Sequence, residues 1–200
     1  MIFYGLALGI VIGALSGGRF TRLADLQLRW GWVGLAAIGF QIVLFSSPAG
    51  QAIGWLAPLG YMLSTGAVLL AVLVNLHILG MPLIAGGAVA NLSAVIANGG
   101  YMPSTAYALG LAGRGNEAGY SNSVVVAHPA LAPFTDVFAI PAGVPLANVF
   151  SVGDVLIAAG VAVLVAATMR GATAQLPRSL DGSTPSHSPD GSSGEQLTES

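Results

Sequence analysis

Two carboxylates stand in otherwise apolar surroundings: Asp136 in "FTDVF" and Asp154 in "FSVGDVLIAAGVAVLVAATM". Two carboxyl groups held close together share a proton more readily than both ionise, so one can act as acid and the other as base on a water molecule. That is the chemistry of an aspartyl hydrolase. Asp154 also has a purely structural explanation. The run Ser151-Val-Gly-Asp154 reads as a capping box, in which Ser151 accepts from the N–H of residue 154 and Asp154 reaches back to the N–H of Ser151. A carboxylate in the first turn further suits the helix dipole. The cap accounts for Asp154 fully. It leaves Asp136 unexplained, because no Arg or Lys lies near it in the sequence.

The other polar residues in apolar runs are Gln41, Asn75, His77, Asn91 and Asn98. Polar groups inside a bilayer are costly and mark function by default, yet each has a structural reading. Asn91 reads as hydrogen-bond glue between helices, worth about 0.6–2 kcal/mol. Gln41 reads as packing. His77 reads as a satisfied or interfacial histidine, since nothing near it has metal-ligand spacing. His128, before Pro129, reads as structural. Asn91 and Asn98 are seven residues apart and share a helix face. Asn98 is carried as a supporting residue for the Asp136 and Asp154 pair. Asn91-Leu-Ser93 matches a glycosylation sequon but falls within an apolar span and is discarded.

These residues are positioned by a chain that is 54% hydrophobic and 7% charged, with a mean hydropathy of +0.80. A soluble domain carries roughly 25% charged residues, so the composition predicts an integral membrane protein whose partner is the lipid bilayer. There are no cysteines, which excludes disulfides and thiolate metal sites. No metal or cofactor is expected. A net charge of −2 gives no reason to expect a nucleic-acid partner.

The predicted fold class is all-α: an integral membrane bundle of about five transmembrane helices with a long apolar outer loop. The spans are 2–18, 30–45, 56–79, 81–97 and 152–169, and the outer loop runs over 99–150. Trp30, Trp32 and Trp55 fall at span ends, where indoles favour the interface. Gly5, Gly9, Gly13 and Gly17 lie on one face of the first span, so they suit close approach by another membrane helix. The first span lacks a basic leader region and is read as permanent rather than as a signal peptide.

Arg19, Arg22 and Arg29 fall between the first and second spans, and Arg170 and Arg178 follow the last. The positive-inside rule places both regions in the cytoplasm and the N-terminus outside. Residues 1–170 form the transmembrane domain. Residues 171–200, rich in Ser, Gly and Pro, read as a disordered cytoplasmic tail, and His187 within it has no expected chemical role. In the outer loop, Pro103–Leu111 is predicted as a short helix with Pro in its first turn. Gly113–Ser123 is its solvated part. Val124–Phe150 is apolar and proline-broken, and is predicted to lie at the membrane surface or dip back into the bundle.

Four stretches, "GRFTRLADLQLRW", "ANGGYMP", "FTDVFAIP" and "FSVGDVLIAAG", resemble an uncharacterised bacterial family of five-span membrane proteins known only as a domain of unknown function. The resemblance covers most of residues 1–170. It implies a fold and a bacterial cytoplasmic-membrane location, and supplies no activity. The C-terminal third more locally resembles lipoprotein signal peptidase. Asp136 in "TDVF" and Asp154 in "FSVGD" stand in the order of that family's two catalytic aspartates, and Asn98-Gly-Gly-Tyr101 echoes its Asn-x-Gly-x-x-Phe motif. That likeness implies catalytic roles for Asp136 and Asp154. The chain departs from the family in lacking its Gly-Asn-x-x-Asp-Arg motif, in Ser151 and Gly153 of the second motif, and in having five spans rather than four. Two expectations follow. The first is a non-enzymatic membrane protein with a structural, partner-binding or small-solute role. The alternative is an outer-face aspartyl hydrolase using Asp136 and Asp154.

Overall fold

The glycine spacing of the first helix sets how the bundle is assembled. A computed structural model describes residues 1–46, 56–114 and 123–172. Helix α1 (Ile2–Leu15) buries Gly5, Gly9 and Gly13. Each lies against the last helix, α6 (Val152–Arg170). A Cβ on Gly5 would collide with the carbonyl of Ala158; one on Gly9 would lie 2.7 Å from the Ala162 carbonyl oxygen, and one on Gly13 2.6 Å from Met169 Sδ. The partner residue advances along α6 as the glycine advances along α1, so the two helices run parallel. Only the absence of side chains lets the backbones come this close. Gly17 takes no part: it lies past the helix end at φ +76° with open space around it.

Helix α6 is the centre of the bundle, and every residue from Leu164 to Met169 is buried. Its other face packs antiparallel on α4 (Met81–Ala97). Gly80, at φ +92°, would place a Cβ 2.8 Å from the Leu164 nitrogen, and Gly87 sits against the Gly153 carbonyl. Two further helices complete the described bundle. In α2 (Gly31–Ser46) and α3 (Leu56–Leu73), Gln41 Nε2 donates to Ser64 Oγ at 3.0 Å, and Phe45 meets Tyr61 edge-on at 5.3 Å. Helix α3 packs on α4 through Tyr61 and Met62, which cover Ala94 and Val95.

These helices fall where the apolar spans are predicted. Two of them, Leu56–Leu73 and Val152–Arg170, are long and apolar enough to cross a membrane, while α1, α2 and α4 are shorter apolar helices. The third predicted span, 56–79, is too long. Its helix ends at Leu73, because Asn75 turns its Nδ2 onto the Ala71 carbonyl at 2.7 Å and onto the Arg29 carbonyl at 2.7 Å. An Asn that hydrogen-bonds the backbone in this way competes with helix continuation. The first helix likewise stops at Leu15 rather than residue 18, where Ser16 and Gly17 turn the chain.

The 99–150 segment corrects the all-α expectation. The fold is mostly helical, but this segment contains two small sheets. Strand β1 (Met102–Ser104) pairs in parallel with β2 (Ser123–Val125), and β3 (Phe138–Ile140) pairs antiparallel with β4 (Asn148–Phe150). The expected helix over 103–111 is shorter: α5 covers Ala106–Leu111. Pro103 lies in β1, and Thr105 caps α5 by accepting from the Ala108 N–H at 3.1 Å. Strand runs of three residues with no regular alternation are too short to stand out in the sequence. The expected disordered tail beyond residue 172, the solvated stretch 115–122 and Trp55 lie outside the described residues.

Candidate functional site

The two ends of the bundle differ in chemistry. At one end the Arg19 N–H donates to the Met169 carbonyl at 2.8 Å, Arg22 Nη1 reaches the same carbonyl at 3.3 Å, and Arg170 Nε reaches the Ala166 carbonyl at 3.3 Å. Cations therefore cover the negative C-terminal end of α6. Asn75 joins this end too, its Oδ1 accepting from the Arg29 N–H at 2.9 Å.

At the other end α6 begins with the anticipated capping box. Ser151 Oγ accepts from the Asp154 N–H at 3.1 Å, and Asp154 Oδ2 accepts from the Ser151 N–H at 2.9 Å. Asn91, from the middle of α4, completes the arrangement. Its Nδ2 donates to Asp154 Oδ1 at 3.1 Å, and its Oδ1 accepts from Ser151 Oγ at 2.8 Å. Ser151 is wholly buried. Gly153 is required here, since a Cβ on it would strike the Asn91 side chain and lie 2.8 Å from the Gly87 carbonyl oxygen. Asn91 is thus interhelical glue, and its partner is the first turn of α6.

Asp136 is carried by the loop. Its backbone bridges to β1, with its N–H donating to the Pro103 carbonyl at 2.9 Å and its carbonyl accepting from the Thr105 N–H at 3.2 Å. Asp136 as a whole is only 6% exposed, and its carboxylate accepts from Ser104 Oγ at 3.4 Å. The isolated parallel bridge to Ser104 fixes the Asp136 backbone against β1.

Asp136 and Asp154 line one cavity of about 430 Å³, together with Asn91, Arg114 and Asn148. Asp154 enters from α6, Asn91 from α4, Arg114 from the end of α5, Asp136 from the loop and Asn148 from β4. Asn98 is placed elsewhere. It ends α4 and clamps the loop: its Nδ2 donates to the Ala94 and Ala130 carbonyls at 2.7 and 2.9 Å, and its Oδ1 accepts from the Ala130 N–H at 2.9 Å. Its role is to hold the segment that carries Asp136. His77 and His128 are exposed and lie outside the cavity lining, and among the described residues no group of three acids, histidines or cysteines is placed to hold a metal ion.

Two members of the site are not identifiable from sequence. Arg114 stands in a polar run that reads as solvated loop. Asn148 stands between prolines and apolar residues, with no periodicity to give it a face.

A model described as "Family of unknown function (DUF5317)" matches residues 25–166, which is more than half of the chain and includes Asn91, Arg114, Asp136 and Asp154. No curated protein and no solved structure matches the chain.

Proposed function

The chain belongs to the DUF5317 family of unknown function, and we propose that it is a multi-pass membrane protein without chemistry of its own, whose outer cavity binds a small polar solute or a group presented by a partner. The observation that carries this reading is the pairing of an apolar periphery with two unlike ends. Phe3, Leu8, Val11 and Leu15 on α1, Leu35, Ile38 and Ile42 on α2, and Leu63 and Leu70 on α3 are all exposed. Water would not tolerate apolar surface on this scale, whereas hydrocarbon would. Arg19, Arg22, Arg29 and Arg170 gather at one end, with Trp30 and Trp32 exposed beside them, as expected of a cytoplasmic interface. The carboxylate cavity then faces the outside. Helices of 14–17 residues reach roughly 21–26 Å at 1.5 Å per residue, so the bilayer thins around them or flanking residues snorkel.

The hydrolase reading rests on one observation, that Asp136 and Asp154 line the same cavity. It is second because Asp154 is already engaged. One of its oxygens accepts from Ser151 and the other from Asn91, which is the pattern of a helix cap held in place from two sides. The test is retention in the membrane pellet after an alkaline carbonate wash. Release into the supernatant, as for a peripheral protein, contradicts the membrane-spanning reading.

A further inference from the structure

The cavity does not end at its polar wall. An apolar pocket of about 400 Å³ adjoins it, formed chiefly by Tyr4, Ile140, Val144 and Phe150, and Met1 and Phe150 line both. The two cavities share Met1 and Phe150 as walls, so one molecule lying across both would meet a charged end and an apolar end. The charged end holds both signs: the carboxylates of Asp136 and Asp154 and the guanidinium of Arg114. Among the described residues the Arg114 side chain makes no hydrogen bond or ion pair, only its backbone N–H bonding to the Leu109 carbonyl.

We propose that this joined site takes a zwitterionic amphiphile, a head of phosphate and ammonium on a hydrocarbon chain. The phosphate lies at Arg114, whose planar fork matches phosphate geometry. The ammonium lies at Asp136, with Asp154 behind it. The chain lies in the pocket between Tyr4 and Phe150. A simple cation would leave Arg114 facing like charge, and a simple anion would face two carboxylates. A free head group would leave the apolar pocket unused. The Tyr4 hydroxyl, bonded to the Pro145 carbonyl, ties α1 to the β3–β4 loop at the point where the chain would pass. The inference rests on the reading of the cavity as an outer binding site.

The test uses the full-length protein in maltoside micelles and three probes: lysophosphatidylethanolamine, lysophosphatidylglycerol and soluble phosphoethanolamine. The first is expected to bind about tenfold or more tightly than the other two. Arg114→Gln and Asp136→Asn should each weaken it by about tenfold, on the scale of a lost charged hydrogen bond. Arg114 is exposed, so its variant should melt at the wild-type temperature, which keeps the result readable if Asp136→Asn misfolds. Equal binding of the two lysolipids means general detergent-like association and overturns head-group recognition. Phosphoethanolamine binding as tightly as its lysolipid overturns the amphiphile and leaves a solute cavity standing. Binding of none of the three overturns the inference and leaves the broader reading, which the carbonate wash tests, standing.

Discussion

Asn91 Nδ2 lies 3.1 Å from Asp154 Oδ1. This contact joins the middle of α4 to the first turn of α6 and decides how Asp154 is read. Its carboxylate belongs to the helix cap and to the helix–helix contact at once. A capped carboxylate gains from charge–dipole attraction, and an interhelical hydrogen bond adds a further modest amount.

Asp154→Asn should therefore be mild. The amide keeps a side-chain oxygen for the Ser151 N–H but turns its NH2 toward Asn91 Nδ2, so the loss is the charge–dipole contribution of about 0.3–1 kcal/mol plus the interhelical bond to Asn91, about 0.6 kcal/mol. Thermal unfolding in detergent measures it. Collapse of the fold would show that the charge is doing more than capping. Unchanged folding with loss of a hydrolytic activity would promote the hydrolase reading.

Asn91→Leu should cost more, because it removes both bonds to the cap: Asp154 Oδ1 loses its interhelical donor, and the wholly buried Ser151 hydroxyl keeps only Asp154 Oδ2 at 3.0 Å as acceptor. The expected loss is about 1–3 kcal/mol, the scale of a buried polar group left unsatisfied. The comparison variant is Gly153→Ala. Its methyl would meet the Asn91 side chain and the Gly87 carbonyl, and overpacking of this kind costs about 1–3 kcal/mol. A double change, Asn91→Ala with Gly153→Ala, should recover part of that loss. Strict additivity would mean that the two residues do not meet.

The glycine face gives a third prediction. Gly9→Leu or Gly13→Leu should force α1 from α6, lowering both yield and melting temperature in detergent. Gly17→Leu should avoid any packing clash, since nothing lies within 4 Å of a Cβ there, leaving only the strain of its positive φ. Equal behaviour of all three variants would contradict the α1–α6 contact.

How much of this was legible in the sequence follows from the range of each interaction. The capping box is a local pattern, and Ser151 and Asp154 display it at the required spacing. The glycine face is equally local, and three of its four members lie against α6. The end of α3 was missed because Asn75 is drawn off by Arg29, 46 residues away, a partner that periodicity does not reveal. The cavity was half legible. Asp136 and Asp154 stand out as acids in apolar runs, but Arg114 and Asn148 reach the cavity only through the loop fold. Asn98 shares the acids' end of the bundle, which the sequence shows, but its amide is occupied with Ala130, which the sequence does not show.

The loop clamp yields a fourth prediction. Asn98→Ala removes the bonds that hold Ala130 and should raise hydrogen exchange across Ala130–Asp136 while sparing α6. Protection unchanged in that segment would mean that the clamp is not what holds the carboxylate segment in place.

A membrane-spanning bundle of this kind would present its carboxylate cavity, with Arg114, on the outer face and Arg19, Arg22, Arg29 and Arg170 on the cytoplasmic face. The chain has no cysteines, so single cysteines can be read without background. Val125→Cys, exposed on β2 at the cavity end, and Ala172→Cys, exposed just beyond α6, are labelled in intact cells with a membrane-impermeant maleimide. Position 125 is expected to label in intact cells and position 172 only after permeabilisation. Labelling of both in intact cells, of neither, or of position 172 alone would contradict this orientation.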